Sequence, residues 1–97
     1  MKEKKVPLII KNKSLTSLSG NDFGVLVFND SMKEKYEKGT KVVFIVPDHI
    51  DRLSASFIQG LVSEISKIVG RSNLSKYVDI QTSNPLIKEK FEIMVTR

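Results

Sequence analysis

The chain has 97 residues, with 16 Lys or Arg against 11 Asp or Glu, which gives a net charge of +5. It has no Cys and one His, which excludes a disulfide scaffold, thiol catalysis, thiolate zinc sites and metal sites with two His ligands. A hydrophobic content of 40% is too high for a disordered chain, and no apolar run approaches the roughly 20 residues that cross a bilayer. We therefore expect residues 1–97 to form one small cytosolic domain.

The positive charge is concentrated at the N-terminus. Residues 1–13 contain five Lys and one Glu, whereas residues 14–97 carry 11 basic and 10 acidic side chains. Residues 1–5 are predicted to be a flexible basic arm. Its side chains Lys2, Lys4 and Lys5 are candidates for contact with a polyanion.

The first elements in chain order are a short strand and a loop. Residues 6–10 are apolar and predict a strand, which Pro7 restricts to a sheet edge or to the start of the strand, because proline donates no ladder hydrogen bond. Residues 15–21 are rich in Ser, Thr and Gly and predict a loop.

Residues 23–38 admit two interpretations. One is a strand over residues 25–28, followed by a short helix that Ser31 and Glu34 would cap. The other is one helix that ends before Gly39, a residue suited to the position after a helix. We favour the single helix, because four apolar residues recur with helical spacing. They are Val25, Phe28, Met32 and Tyr36.

The middle of the chain contains the clearest strand and the clearest helix. Residues 41–46 (KVVFIV) are short, β-branched and apolar on both faces, as in a central strand covered by other layers. Residues 54–69 form an amphipathic helix, with Ser54 or Ser56 at its start and Gly70 at its end. Its apolar stripe consists of Phe57, Ile58, Leu61, Val62, Ile65, Ile68 and Val69.

The C-terminal part predicts a strand and a final helix. Residues 76–82 contain a short strand, and Asn84-Pro85 then fits an N-cap followed by the first helical position. One face of the terminal helix is predicted to be apolar. That face consists of Leu86, Ile87, Phe91, Met94 and Val95.

The resulting order β, α, β, α, β, α predicts an α/β fold with helices packed on a sheet. The strands within residues 41–80 are expected to be parallel and joined by a right-handed crossover. Edge strands in so small a sheet are free to pair between copies, which would give a homodimer.

The common catalytic motifs are absent, and we expect no enzymatic activity, no cofactor and no metal. A Ser-His-Asp set can be assembled on paper from His49, Ser54 or Ser56, and Asp48 or Asp51, but no oxyanion device accompanies it. An enzyme or small-ligand carrier, as an alternative, would need a pocket lined by His49 and the two aspartates.

Residues 48–60 carry the strongest functional signal, because they join the predicted central strand to the long helix. Function concentrates at the carboxyl ends of strands in open parallel sheets. A serine at a helix N-terminus lies beside free N–H groups and the positive end of the dipole. A phosphate there would be tolerated locally and would alter docking of a partner. The alternative is that Ser54 and Ser56 are ordinary helix caps.

Residues 41–91 resemble the STAS-like domain family of prokaryotes, which is related to the anti-sigma factor antagonists. That family's pattern is an apolar strand, a short turn and a Ser-x-Ser-Phe helix start, here KVVFIV, PDHIDRL and Ser54-Ala55-Ser56-Phe57. A later strand followed by Asn84-Pro85 is similar to the family as well. So are an internal Gly24 in the upstream helix and Gly39-Thr40-Lys41-Val42 before the strand.

The resemblance implies a small mixed sheet of about four strands with helices packed on it, and a non-enzymatic regulatory role in signalling. Antagonist domains dock on a kinase-type ATPase that regulates a sigma factor or another output. They are switched by phosphorylation of a serine at the start of the long helix, and Ser56 matches that position.

The resemblance therefore implies a cytoplasmic protein-binding module whose partner is a kinase-type ATPase or a transcription regulator. The predicted partner-binding residues, with Ser56 and Ser54 as candidate phosphoacceptors, are Asp48, His49, Asp51, Arg52, Ser54, Ser56 and Gln59. The alternative function is a nucleic-acid-associated accessory protein that uses the N-terminal lysine arm.

Overall fold

Strands and helices alternate along residues 2–96, which are the residues that the computed structural model describes. The strands are β1 (Glu3–Pro7), β2 (Ser17–Leu18), β3 (Lys41–Ile45), β4 (Arg52–Leu53) and β5 (Val78–Gln81). The helices are α1 (Asn21–Ser31), α2 (Ala55–Val69), α3 (Leu74–Tyr77) and α4 (Pro85–Thr96), and a 3-10 turn at Arg71–Asn73 precedes α3.

The strands form two parallel sheets. The larger sheet has the order β1-β3-β5, and β2 pairs with β4 in a separate two-stranded sheet. The expectation of one mixed sheet with about four strands is corrected, since every strand pair within residues 2–96 is parallel. β2 and β4 are two residues long, with one buried leucine each, which is too short for a periodic pattern to reveal.

The central position of β3 and the parallel pairing of β3 with β5 confirm the prediction from residues 41–80. Val42, Val43 and Phe44 of β3 are buried. This burial is the reason that β3 lacks the polar alternation of a strand with one wet face.

The two faces of the larger sheet differ in polarity. Val6, Phe44 and Ile80 occupy one row across the three strands, and all are nearly inaccessible. Because side chains alternate along a strand, the neighbouring row of Lys5, Val43 and Asp79 lies on the opposite face. On the apolar face, the Phe28 ring of α1 contacts the Phe44 ring at a centroid distance of 6.3 Å.

One connected hydrophobic core joins that sheet face to α1, α2 and α4. None of the helices in the described part of the chain is long and apolar enough to cross a bilayer. The fully buried side chains with the largest volume are Phe44, Phe57, Phe91, Leu18, Leu53, Ile58, Leu61, Ile65 and Leu74.

Two helices begin where the sequence predicts. The Ser54 hydroxyl accepts a hydrogen bond from Phe57 N at 3.0 Å and caps α2. Asn84 Oδ1 accepts hydrogen bonds from Leu86 N and Ile87 N and caps α4 in the same way. At the end of α2, Gly70 has a φ of 90°, a conformation that glycine adopts without a Cβ penalty.

The α1 helix confirms the helical interpretation of residues 25–28, but it is shorter than predicted. It ends at Ser31, and Met32 is already extended. Met32 and Tyr36, which suggested a longer helix, reach the core without one. Met32 is partly buried against the core, and Tyr36 is 6% exposed in the following loop, where its hydroxyl donates to Thr40 O at 2.7 Å. Gly39, with a φ of 94°, lies in the turn before β3 and does not end a helix.

The first strand starts and ends earlier than the predicted residues 6–10, because it spans Glu3–Pro7. Residues 3–5, expected to belong to a flexible arm, pair with Lys41, Val42 and Val43 of β3 instead; residue 1 lies outside the described residues. The edge position predicted from Pro7 is confirmed. After Pro7 the chain is held by Leu8 N, which donates to Ile45 O, and by Ile9 N, which donates to the Ser31 hydroxyl.

Two glycines bring α1 and α2 into backbone contact. A Cβ on Gly24 would overlap Phe57 O and would lie 2.7 Å from Leu61 N; a Cβ on Gly60 would overlap Asn21 O. The backbones of the two helices therefore lie so close together that both positions require glycine. Any larger residue there would overlap the backbone of the other helix. This crossing fixes the start of α1 against the start of α2.

Candidate functional site

The turn after β3 is held by a short internal hydrogen bond and a buried anchor. Ile50 N donates to Pro47 O at 3.1 Å, and the Ile50 side chain is 2% exposed. Asp48 and His49, between these two residues, are exposed at the tip of the turn. The backbone is fixed, while the two polar side chains face solvent.

Two other segments of the chain anchor the following residues. Thr16 O accepts from Asp51 N at 2.7 Å, and Leu18 O accepts from Ser54 N at 2.9 Å, which continues the β2–β4 pairing. Asn84 Nδ2 donates to Asp51 O at 3.1 Å. The turn is thus tied to β2 and to the start of α4.

The two serines at the start of α2 have different environments. Ser54 is half-buried and serves as the N-cap. Ser56 is exposed, and its hydroxyl accepts a hydrogen bond from Gly20 N at 3.2 Å. The two hydroxyl oxygens are 3.1 Å apart. Gly20 is the residue before α1, so Ser56 bridges the N-terminal ends of two helices.

The structure places the predicted partner-binding residues on one continuous segment at the carboxyl end of β3. Arg52 is exposed on β4, and Gln59 is exposed one turn into α2. Only Ser54 of the seven is half-buried; Asp48, His49, Asp51, Arg52, Ser56 and Gln59 are exposed.

No catalytic set is formed from these residues. Among residues 2–96, no hydrogen bond joins His49 to Ser54, Ser56 or either aspartate, and the two serines bond with each other and with the backbone instead. The described part of the chain also holds no group of three or more His, Asp or Glu that would suit a metal ion.

An apolar groove lies beside the start of α2. It has a volume of about 390 Å³. Its lining residues are Ala55, Leu86, Glu89, Lys90, Ile93 and Met94.

Leu86 was predicted to lie on the core face of the terminal helix, but its side chain is 74% exposed, which corrects that prediction. At about 100° per residue, Leu86 lies roughly 140° around α4 from Phe91. Because Phe91 is buried, this angle places Leu86 outside the buried face.

Lys2 and Lys4 line one depression beside two carboxylates, and Lys5 lies apart from them. Lys2 Nζ lies 3.1 Å from Glu37 Oε2, and Lys4 Nζ lies 3.5 Å from Glu34 Oε2. Lys5 is exposed on the polar sheet face. The carboxylates beside Lys2 and Lys4 weaken the attraction that these cations exert on a polyanion.

The polar sheet face carries one ion pair that links a strand to a helix. Lys88 Nζ in α4 donates to Asp79 Oδ1 of β5 at 2.9 Å and to Ile80 O at 3.1 Å. Partial burial raises the pKa of Asp79, but hydrogen bonds from Lys88 and Ile80 N, with the charges of Lys88 and Lys41, outweigh it. The net effect holds the pKa of Asp79 below its ordinary value.

Sequence reasoning did not find several residues that build the site. Thr16, Leu18 and Gly20 hold the turn through their backbone, so their side-chain types carry no signal. Gly60 did carry a signal, because a glycine inside a helix costs about 1 kcal/mol against alanine and calls for a packing reason.

Comparison with protein-family models, with curated proteins and with solved structures returned no match.

Proposed function

We propose that the protein is a non-enzymatic regulatory module that docks a protein partner through residues 48–60, in the manner of a STAS-like anti-sigma factor antagonist. The partner we propose is a kinase-type ATPase or a transcription regulator, met in the cytoplasm. Ser56 is the proposed phosphoacceptor. The observation that carries the proposal is the position of the exposed Ser56 hydroxyl between the N-terminal ends of α1 and α2.

The surface around Ser56 suits recognition by a protein. Its polar side chains carry both signs of charge, with Asp48 and Asp51 near Arg52. They stand on a backbone that β2 and Asn84 fix in place. A rigid, polar and exposed segment of this kind loses little conformational entropy when it binds.

Phosphorylation of Ser56 would act on two properties of this surface. It would replace a hydroxyl with a group of charge about −1.5 to −2 at neutral pH. It would also disturb the hydrogen bond that Gly20 N donates to Ser56. Free N–H groups in the first turns of α1 and α2 would stabilise the phosphate, so the protein stays folded while its docking surface becomes anionic.

The test is a binding measurement with a phosphomimetic variant. Proteins captured from the host lysate by the wild type are identified by mass spectrometry, and the purified partner is titrated against wild type and Ser56→Glu. We expect Ser56→Glu to weaken binding at least about tenfold, which corresponds to about 1.4 kcal/mol. Incubation with the partner and ATP should add one phosphate at Ser56.

Ser75→Glu is the matched control, because Ser75 is also exposed but lies in α3, just before β5 begins and thus at the opposite end of the sheet. It should bind like the wild type. Equal affinity of wild type and Ser56→Glu would remove Ser56 as the switch. A partner whose binding is insensitive to Asp48→Ala and Arg52→Ala would exclude residues 48–60 as the docking surface.

A further inference from the structure

The outer face of α4 carries an exposed apolar stripe. Leu86 is 74% exposed and Ile93 is 44% exposed. Residues seven positions apart differ by only about 20° around an α-helix, so the two side chains align along α4. We call Leu86 and Ile93 the α4 stripe. Aligned exposed apolar residues on a small protein mark an interaction surface.

Opposite charges flank the α4 stripe. With about 100° per residue, Glu89 and Lys90 lie between Leu86 and Ile93 but on opposite sides of the line that joins them. On the Lys90 side, Arg52 and Asp51 line the same depression as Leu86 and Lys90. Glu92 lies further around the helix on the Glu89 side, and its carboxylate is 3.8 Å from Lys88 Nζ. The Lys90 flank thus carries two cations against the carboxylate of Asp51 and is basic overall, and the Glu89 flank carries two carboxylates against the cation of Lys88 and is acidic overall.

We propose that the α4 stripe binds the α4 stripe of a second copy, about a two-fold axis parallel to α4. A rotation about that axis brings each stripe against itself and the acidic flank of one copy against the basic flank of the other. Glu89 then faces Lys90 of the second copy, twice in the dimer. A perpendicular two-fold axis would instead bring Lys90 against Lys90 and Glu89 against Glu89, which the charges oppose.

The groove beside the stripe supplies space for the side chains of the second copy. It lies between α4 and Ala55, at the start of α2, and its volume of about 390 Å³ exceeds that of a leucine side chain. Leu86 and its groove lie on the same face, as a self-complementary interface requires. α4 is about 18 Å long, so the interface is at the small end of the known range and its affinity is expected to be micromolar.

This inference does not rest on the proposed function, because the stripe and its Glu89 and Lys90 flanks lie on α4, and Asp51, Arg52 and Ala55 of residues 48–60 only border them. Sedimentation of the full chain from about 1 µM to about 1 mM tests it. We expect a reversible dimer, with a dissociation constant raised at least about tenfold by Leu86→Glu and by Ile93→Glu. Leu26→Glu, at a 52% exposed leucine of α1, should leave the dimer unchanged. A wild type that is monomeric throughout would overturn the proposal.

Charge reversal tests the pairing of the flanks. Glu89→Lys alone and Lys90→Glu alone should each weaken the dimer, because each puts like charges across the axis. The double variant Glu89→Lys/Lys90→Glu restores opposite charges and should recover the wild-type dissociation constant. Failure of the double variant to recover would overturn the flank assignment.

Cysteine cross-linking tests the direction of the axis, and the chain has no Cys of its own to interfere. With an axis parallel to α4, Leu86→Cys alone should form an intermolecular disulfide on oxidation, while Leu26→Cys should not. Circular dichroism checks that the variants remain folded. Cross-linking that occurs only when Leu86→Cys is mixed with Ile93→Cys would overturn the parallel arrangement.

Discussion

Ser54 and Ser56 are two residues apart at the start of α2, yet their hydroxyls accept hydrogen bonds from different backbone groups. Ser54 satisfies Phe57 N, one of the donors that every helix N-terminus leaves without a partner inside the helix. The Ser56 hydroxyl accepts from Gly20 N, next to α1, and lies 3.1 Å from the Ser54 hydroxyl. The first interaction stabilises α2. The second interaction joins α2 to the start of α1, and Ser56 remains exposed.

This difference predicts unequal effects of alanine substitution. Ser54→Ala should lower the free energy of unfolding by about 1 kcal/mol, the usual cost of losing an N-cap. Ser56→Ala removes only exposed hydrogen bonds, those with Gly20 N and with the Ser54 hydroxyl, and should cost less than about 0.5 kcal/mol. Urea unfolding monitored by circular dichroism measures both. A larger loss for Ser56→Ala than for Ser54→Ala would show that Ser56 is the structural cap.

At the scale of elements, the crossing of α1 and α2 determines where Ser56 lies. Gly24 and Gly60 let the two backbones touch, and that contact brings Gly20, just before α1, to the Ser56 hydroxyl. The aromatic pair Phe23 and Phe57, with ring centroids 5.7 Å apart, packs beside the crossing. The site therefore depends on a contact between two helices as much as on the turn itself.

Gly24→Ala is predicted to be strongly destabilising. Its Cβ would overlap Phe57 O, a backbone atom of α2 that no side-chain rotation can move away. We expect a loss of at least about 3 kcal/mol in the free energy of unfolding, the upper end of the cost of overpacking, measured by thermal and urea unfolding.

Gly39→Ala is the control for the same chemical change. Gly39 has no atom within 4 Å of an added Cβ, but its φ is 94°, so the cost is limited to the backbone strain of about 1–2 kcal/mol. If Gly24→Ala were no more harmful than Gly39→Ala, the close approach of α1 and α2 would be contradicted.

At the scale of the whole molecule, the long elements were predictable because burial leaves a periodic trace. The seven-residue apolar stripe of α2 and the continuous apolar run of β3 gave the correct element types and nearly correct ends. Tyr36 shows where this logic fails. It is buried at helical spacing, yet it reaches the core from a loop, and periodicity does not distinguish the two.

The site was predictable as a segment, but its surroundings were not. Residues 48–60 follow a recognisable strand and precede a recognisable helix, so their position at a sheet end follows from the general geometry of α/β folds. Their partners Gly20 and Asn84 come from distant parts of the chain, joined by backbone or amide hydrogen bonds. A single sequence contains no local pattern for such long-range contacts.

Acid stability is a property of the whole molecule to which the Asp79–Lys88 pair contributes. The pKa of Asp79 is lower in the folded protein than its ordinary value, so the folded state favours the charged carboxylate. Its stabilisation is complete above the unfolded pKa of about 4 and is lost as the pH falls through the lower folded pKa. The side chain is 40% exposed, so the contribution is small.

Asp79→Asn removes this titration. We expect its free energy of unfolding to decrease less than that of the wild type between about pH 5 and about pH 2, because asparagine binds no proton. Lys88→Met should have a similar effect, since it removes the cation that favours the charged carboxylate. Urea unfolding across this pH range gives the comparison. Parallel pH profiles for wild type and Asp79→Asn would show that this ion pair makes no contribution to acid stability, whatever its geometry.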